Sequence, residues 1–408
     1  MSKSKDDIVI ISGVRTPFGR FGGSLKDWDV IDLGAVVMKE AINRAGLKPE
    51  QIGEVWWGCG DTSNTQDVFT PVVGRQSLLA AGMPPETPSC TFDKACVSGT
   101  SAVNFAIRTI RAGEAEIVLA GGATHFSSVP YLLRDLRFKG HKIGEMKMED
   151  PLFPLGYKRY NPVSVDSGEV AVEYGITREM QDAWSVRSHE NYGRAWKEGF
   201  FKAEMMPIEL PQKDGSVKIL DIDEQYRPGT SMEGLAKLKP MFNNIGGLTA
   251  GNAPGINDGS LAMIVTTRAK AEELGVKPLA TIVTMVTTGA NPRKLPIAPA
   301  VAIGRAFEKT GLTMDDMDLV EINEAFAAVP LVSSKILAGG DEGKWQAIKD
   351  KMNVNGGAVA IGHANCASGA RIMLTMIQEL KRRGGGMGVV GICGGLTQGD
   401  AGIIKVED

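Results

Sequence analysis

The sequence predicts an α/β fold that consists of two related halves with a long domain inserted into the first. Three observations support this prediction. Short apolar strand-like segments alternate with helical periodicity along the 408-residue chain. The pattern of the first quarter recurs near residue 300, and the composition changes between residues 126 and 252. Because domains usually span ~100–200 residues, the length allows two or three of them.

The first half begins with a predicted strand over residues 8–13. Residues 32–45 have helical periodicity, and Gly46 is typical of a helix end. An apolar segment at 55–59 and another at 117–120 predict buried strands, and residues 101–112 predict a helix between them. In the later part of the chain, 300–310 predicts a helix and 319–322 a strand.

Two stretches, residues 32–59 and 300–322, can be superposed at a fixed offset of 265 residues, which indicates an internal repeat. The matched pairs are Ala35 with Ala300, Gly46 with Gly311, and Val55 with Val320. A Ser-Gly pair before a helix and a Gly-Gly pair after a strand also recur: residues 98–99 echo 368–369, and 121–122 echo 394–395. We therefore predict a first half over residues 1–270, with an inserted loop domain at about 126–252, and a second half over 277–408.

Composition excludes several classes of protein. Forty-five Lys and Arg against 48 Asp and Glu leave a net charge of −3, unlike a nucleic-acid-binding protein. No apolar run approaches the ~20 residues of a membrane span, and the first residues lack the apolar core of a signal peptide. The five cysteines are odd in number and have no C-x-x-C spacing, so we expect neither a disulfide framework nor a metal site. These features favour a cytoplasmic protein.

Cys96 is the first candidate for chemistry. It lies in the segment from Asp93 to Thr100, between a strand-like segment and a helix, where free N–H groups and the helix dipole favour a thiolate. Gly99 and its small neighbours would allow a substrate to approach the sulfur.

Three further residues are candidates for acid–base or hydrogen-bonding roles. His363 lies in a glycine-rich loop before another helix, where it could act as a base or as a hydrogen-bond donor. Cys393 ends a strand and is followed by glycines whose N–H groups could stabilise an oxyanion. Asn323 follows a strand and could hold a water or a carbonyl, with Glu324 orienting its amide.

Taken together, these motifs resemble those of the thiolase family over essentially the whole chain. The resemblance also includes residues 12–17, 181–184 and 249–259. It implies two βαβαβαββ halves in a five-layer α/β/α/β/α arrangement with an inserted loop domain. It further implies CoA-dependent cleavage of a 3-oxoacyl-CoA, or the reverse condensation of two acyl-CoA molecules, with CoA as a substrate and without a metal or redox cofactor.

The resemblance implies a role for each reactive residue. Cys96 is similar to the nucleophile that holds the acyl group, and His363 to the residue that activates it. Cys393 is similar to the second cysteine, which moves the proton of the α-carbon or of the CoA thiol. Asn323 (through a water) with His363, and the N–H groups of Cys96 and Gly395, are similar to the two oxyanion holes.

The chain departs from the family pattern around the expected acyl and pantetheine site. The positions concerned are Val163, Pro254, Leu295, Ala364 and Cys366. These changes predict an altered acyl pocket, for a bulky, branched or aromatic acyl group. Arg227 resembles a residue that approaches the nucleotide part of CoA.

The sequence leaves two alternative functions open. One is a condensing enzyme of the ketosynthase or 3-hydroxy-3-methylglutaryl-CoA synthase type, although such a site uses a second histidine where this chain has Asn323. The other is a subunit of a hetero-complex with reduced catalysis. The resemblance implies a homodimer or a homotetramer, in which residues 129–138 resemble the segment that pairs dimers.

Overall fold

The computed structural model describes residues 4–60, 67–134, 136–153, 155–243 and 245–407. The strands are β1 Ile8–Arg15, β2 Gly19–Arg20, β3 Glu54–Gly58, β4 Ser89–Phe92, β5 Ile117–Thr124, β6 Leu132–Leu133, β7 Met148–Glu149, β8 Ile208–Pro211, β9 Val217–Leu220, β10 Asn257–Thr267, β11 Ala280–Gly289, β12 Leu319–Ile322, β13 Gly386–Gly394 and β14 Gln398–Val406. The helices are α1 Val30–Arg44, α2 Val73–Ala80, α3 Ser98–Ala112, α4 Leu136–Lys139, α5 Val163–Glu173, α6 Arg178–Lys197, α7 Met232–Ala236, α8 Arg268–Glu273, α9 Ala298–Thr310, α10 Ala328–Leu337, α11 Glu342–Asp350, α12 Ala358–Ile361 and α13 Asn365–Arg382.

The main strands form one hydrogen-bonded path that divides into two half-sheets of the same design. The first half-sheet has the order β4-β3-β5-β10-β1, and the second runs β11-β14-β13-β12. They meet where Val9 and Ile10 of β1 pair with Thr281 and Ala280 of β11. In the first half-sheet, β4 pairs with the outer side of β3. In the second half-sheet, the corresponding position beside β12 has only a single bridge, between Val320 and Met352. The repeated order agrees with the internal repeat in the sequence.

Three apolar cores define five layers. The central core contains side chains of α3 and α13 together with the inner faces of both half-sheets. Examples are Ala106 of α3, Ile372 of α13, Met263 of the first half-sheet and Ile392 of the second. One outer core packs α1 and α2 on the first half-sheet. The other packs α9 and α10 on the second half-sheet. This α/β/α/β/α arrangement confirms the predicted fold class.

Local sequence explains most element boundaries. Asp29 caps α1 by accepting from the N–H of Ile31, so the helix begins at Val30, slightly earlier than predicted. Gly311 ends α9 in the left-handed conformation at φ 73°. Two details of the prediction were wrong. The Ser-Gly pairs at 98–99 and 368–369 lie within α3 and α13 and not before them, and residues 121–122 lie within β5 and not after it. Their glycines are needed there because the backbone of Cys366 packs directly on Gly122.

The inserted segment lies between β5 and β10 and is fastened to β1 through a buried arginine. Arg15 donates to Glu204 at 2.7 Å and to both carboxylate oxygens of Asp223, at 2.7 and 2.9 Å. These carboxylates hold the pKa of Arg15 above its usual value in spite of complete burial. The pairing therefore connects the inserted segment to the first half through a buried ion pair.

None of the helices in the described ranges is long and apolar enough to cross a bilayer.

Candidate active site

Cys96 lies on a strained turn between β4 and α3. Ala95 has φ 51°, a left-handed conformation that is unusual for a residue other than glycine. Asp93 stabilises the turn by accepting from the Ala95 N–H at 2.7 Å, and the Ser98 hydroxyl accepts from the Lys94 N–H at 2.9 Å. The turn leaves Cys96 partly exposed, on the wall of a cavity.

His363 contacts Cys96 directly. Its Nε2 lies 3.1 Å from the Cys96 sulfur, and its Nδ1 lies 2.7 Å from the hydroxyl oxygen of Ser368. The Ser368 hydroxyl donates to the Ala364 carbonyl at 3.2 Å, so it can accept from Nδ1–H. This arrangement favours the tautomer whose bare Nε2 faces the cysteine thiol, as a general base requires.

The main chain around His363 fixes the position of the ring. The N–H of His363 donates to Asn257 Oδ1 at 2.9 Å. Gly362 has φ 105°, and a Cβ at this position would lie 2.7 Å from the Asn257 amide carbon, so only glycine fits. Burial, reinforced by the charge of Arg371, lowers the pKa of His363 to about 3, which keeps the ring neutral at physiological pH.

Cys393 lies in the last residues of β13 and Gly395 in the turn between β13 and β14, which packs against the Cys96 turn. A Cβ on Gly394 would lie 2.9 Å from the side chain of Val97, and one on Gly395 would lie 3.3 Å from the Cβ of Ala95. Cys393 itself is fully buried, and this burial raises the pKa of its thiol to about 12. The thiol therefore keeps its proton at neutral pH.

Asn323 is fully buried at the end of β12 and contacts α13. Its Oδ1 accepts from Arg371 at 3.3 Å, and its Nδ2 has no hydrogen-bond partner in the described part of the chain. Glu324 does not orient this amide, contrary to the prediction. Instead it accepts from Trp184 at 2.9 Å and from Ser188 at 2.8 Å, because its side chain points toward α6 of the loop domain.

The cavity beside Cys96 and His363 has a volume of about 190 Å³. Three predicted substrate-binding residues, Val163, Pro254 and Leu295, lie on its wall. Aromatic and aliphatic side chains form much of the lining: Phe126, Leu155, Tyr157, Val163, Leu295 and Phe326. The cavity is therefore mainly apolar next to the cysteine.

Three other predicted substrate-binding residues are not on this wall. Ala364 and Cys366 are fully buried, since the first turn of α13 packs against β5, where the Cys366 N–H donates to Thr124 at 2.9 Å. The structure therefore assigns them to packing. Arg227 is exposed in the loop domain, and its N–H donates to His189 Nδ1 at 3.3 Å.

Sequence reasoning missed several residues of the site. Ser368 was noticed only as part of a repeated Ser-Gly pair, and Arg371 was given no role. Tyr157 was not singled out, yet its hydroxyl occupies the space that a Cβ on Gly395 would need. Its position in an inserted loop, far from every motif, gave no signal in the sequence.

Within the described ranges, no group of three or more His, Cys, Asp or Glu side chains could hold a metal ion.

The fold and the site define a class of protein. A partly exposed cysteine faces the bare nitrogen of a neutral histidine, beside an apolar cavity between two α/β halves, which is an arrangement for nucleophilic acyl transfer. Comparison with known families identifies the particular family. Residues 8–269 match the thiolase N-terminal domain and residues 276–406 match the thiolase C-terminal domain. The chain belongs to the thiolase family of acyltransferases.

Individual relatives agree with this assignment. The chain is 41% identical to an acetyl-CoA acetyltransferase of Syntrophomonas wolfei, over 98% of this chain and 99% of the relative. Among solved structures, the Bacillus anthracis acetyl-CoA acetyltransferase is 35% identical with a TM-score of 0.91, over 99% of this chain and all of the other. Human mitochondrial 3-ketoacyl-CoA thiolase in complex with CoA is 36% identical, with a TM-score of 0.91 and 99% coverage of each chain. These relatives favour a thiolase over a ketosynthase-type enzyme.

Proposed function

We propose that this protein cleaves a 3-oxoacyl-CoA with free CoA, or condenses two acyl-CoA molecules, through an acyl-thioester on Cys96. The contact of 3.1 Å between Cys96 and His363, on the wall of a cavity in a thiolase-family chain, is the observation that carries the proposal. A thiolate is both a good nucleophile and a good leaving group toward a thioester, so acyl transfer in either direction has a low barrier.

In the cleavage direction, the first half-reaction acylates the enzyme. The Cys96 thiol passes its proton to His363 Nε2, and the sulfur attacks the C3 carbonyl of the substrate. The C2–C3 bond then breaks, and its electron pair leaves on C2 as the enolate of an acyl-CoA. The Cys393 thiol gives its proton to C2. Because the pKa of Cys393 is about 12, this thiol is protonated in the resting enzyme, as the step requires.

The second half-reaction transfers the acyl group to CoA. The Cys393 thiolate, a strong base for the same reason, takes the proton of the incoming CoA thiol. The CoA sulfur attacks the thioester carbonyl, and Cys96 leaves as a thiolate that recovers its proton from His363. Condensation is the same sequence in reverse, in which Cys393 removes the α-proton of the second acyl-CoA.

Both half-reactions develop negative charge on an oxygen. We assign one oxyanion hole to His363 and a water held by Asn323, and the other to the N–H groups of Cys96 and Gly395. The close packing of the Gly395 turn on the Cys96 turn supports the second assignment. Loss of a single donor of this kind typically costs ~3 kcal/mol of transition-state stabilisation.

We further propose that the acyl group is bulky, branched or aromatic. The apolar lining of the cavity supports this, because Val163, Leu295 and Phe326 can bury an acyl chain beside the cysteine. The pantetheine of CoA would pass Pro254, and Arg227 would lie near the nucleotide. CoA is then a substrate, and the reaction needs neither a metal nor a redox cofactor.

A homodimer or homotetramer is part of the same proposal, and a further subunit remains compatible with it. Within the segment that resembles the tetramer contact, Tyr131 and Phe138 expose 62% and 94% of their surface. Exposed aromatic side chains in one segment are typical of a contact between chains. Light scattering at several concentrations, with Phe138→Asp as the test variant, measures the oligomeric state.

The deciding experiment measures CoA-dependent loss of thioester across short, long, branched and aromatic 3-oxoacyl-CoA substrates. We expect cleavage, and an acyl adduct on the Cys96 peptide in mass spectrometry when CoA is withheld. Cys90→Ser, which removes another partly buried thiol, is the matched control. Absence of any adduct on Cys96 would contradict the mechanism. Acetoacetyl-CoA as much the best substrate would contradict only the bulky acyl group.

A further inference from the structure

We propose that Arg371 is a positioning residue that fixes the amide of Asn323 so that its N–H group, and not its carbonyl, is available to the reaction. The inference rests on the proposed function, in which Asn323 serves an oxyanion hole. It concerns a residue that contacts neither the substrate nor the reacting atoms.

Chemistry decides which way the amide of Asn323 lies. Arg371 Nη2 is 3.3 Å from Asn323 Oδ1, and both side chains are fully buried. A guanidinium has five donors and no acceptor, so only the amide oxygen can face it. The Nδ2 group must then point away from Arg371, and among the described residues it has no partner. In the proposed reaction, this unpaired donor is the one that would hold the water of the oxyanion hole.

The helix α13 delivers this contact together with the one that orients His363. Ser368 and Arg371 are three residues apart and therefore lie on the same face of the helix. Ser368 holds His363 Nδ1 at 2.7 Å, and Arg371 holds Asn323. One rigid helix thus sets the orientation of both side chains assigned to the first oxyanion hole.

The burial of Arg371 is poorly explained by a structural ion pair alone. Its closest carboxylate contact is Glu321, at 3.9 Å, and in the described ranges its Nε and Nη1 have no hydrogen-bond partner. A buried charge with so little compensation is costly to folding. Arg15 provides the contrast, because it is equally buried but has carboxylate partners at 2.7 Å on two sides. Arg15 is built as a structural arginine, and Arg371 is not.

The electrostatic surroundings support the same role. The charge of Arg371 adds to burial in lowering the pKa of His363, so the guanidinium helps to keep the base neutral. Glu321 is a weak counter-charge, since burial raises its pKa to about 8. The positive charge of Arg371 therefore acts on His363.

The test is a double-mutant cycle between Arg371 and Asn323. Arg371→Met removes the donors and keeps an unbranched side chain, and we expect kcat to fall about 10- to 100-fold with KM for CoA changed less than about 3-fold. In an Asn323→Ala background the same change should lower kcat less than about 3-fold further. Equal losses in both backgrounds would overturn the proposal.

A matched control lies on the same helix. Thr375 is buried one turn beyond Arg371, and its hydroxyl has no partner in the described part of the chain. Thr375→Val is nearly isosteric, so it should leave kcat within about 2-fold of wild type. A loss as large as that of Arg371→Met would mean that any change in this face of α13 impairs the enzyme, and would overturn the proposal.

A second variant decides the matter should Arg371→Met fail to fold. Asn323→Asp keeps an oxygen for Arg371 but has no N–H donor, so we expect kcat to fall at least as far as in Asn323→Ala. Retention of a third or more of the wild-type kcat would show that an oxygen serves the site. Wild-type enzyme that cleaves no 3-oxoacyl-CoA would defeat the proposed function itself, which distinguishes the two failures.

Discussion

Ser98 and Ser368 occupy equivalent positions of the repeat near the starts of the two central helices, but they serve the site in different ways. Ser98, at the start of α3, stabilises its own turn by accepting from Lys94 and donating to Ala95. Ser368, in the first turn of α13, reaches His363 instead. The repeat thus supplies one helix start that presents the nucleophile and one that orients the base.

The next residue of each pair shows what the two helices share. A Cβ on Gly99 would lie 2.8 Å from backbone atoms of Ala370 and Cys366, and a Cβ on Gly369 would lie 2.9 Å from the N atom of Thr100. The helices therefore cross backbone to backbone. This close crossing brings Cys96 and His363, 267 positions apart in the sequence, within 3.1 Å. The equivalent glycines thus allow the two helices to pack closely, whereas the equivalent serines make different contacts.

The largest expected effect tests whether Cys96, in the turn before α3, is the nucleophile. Cys96→Ser should lower kcat/KM on the order of 10³-fold or more, because an alcohol is a far weaker nucleophile than a thiol. Steady-state thioester cleavage measures the loss, and the melting temperature should stay close to that of wild type. Turnover within 10-fold of wild type would exclude Cys96 as the acyl carrier.

The next largest effect is expected at the close contact between α3 and α13. Gly99→Ala places a methyl group against the backbone of α13, and we expect a loss of about 2–3 kcal/mol in the free energy of unfolding. Denaturant titration measures it. Gly304→Ala is the control, because that helical glycine in α9 has open space around it and the change should stabilise by up to ~1 kcal/mol. Equal effects of the two substitutions would refute a close crossing.

The two serines should separate stability from catalysis. Ser368→Ala should lower kcat about 10- to 100-fold with little change in stability, since His363 loses the partner of Nδ1. Ser98→Ala should instead cost about 1 kcal/mol of stability and lower kcat less than about 3-fold. We would measure kcat and the free energy of unfolding for both variants. Equal changes in the two variants would contradict the proposed difference between the serines.

A last prediction concerns the pH dependence of stability, where each single pH unit has a small effect. The folded-state pKa of His363 is about 3, below the ordinary value of 6.5, so between these values only the unfolded state takes up the proton. The contribution of His363 to stability is therefore complete above pH 6.5 and declines as the pH falls, by about 1 kcal/mol per pH unit. Melting curves from pH 7 to 4.5 should show a shallower decline for His363→Gln than for wild type.

Much of the fold could be predicted because its signals are local. The helix over residues 300–310 and the strand over 319–322 were placed within two residues, because their periodicity and the glycine at 311 act over a few positions. The candidate site was predicted from its motifs through a family resemblance. Tyr157 was missed because it reaches Gly395 from an inserted loop.

The partner of Asn323 shows the limit of local reasoning. Its neighbour Glu324 was expected to orient it, but successive side chains leave the backbone in different directions, and the partner is Arg371, 48 positions away. Proximity in the sequence was therefore a poor guide to which groups meet.

The sequence by itself determined the halves, their order of strands and helices, and which residue types stand at each helix start. Those features follow from propensities and periodicities that act within a few residues. Only the tertiary structure decided that Ser368 contacts His363, that Arg371 contacts Asn323, and that burial moves the pKa values of His363 and Cys393 in opposite directions. The reason is physical: desolvation disfavours the charged form of each group, and its extent depends on how two distant half-sheets close around the site.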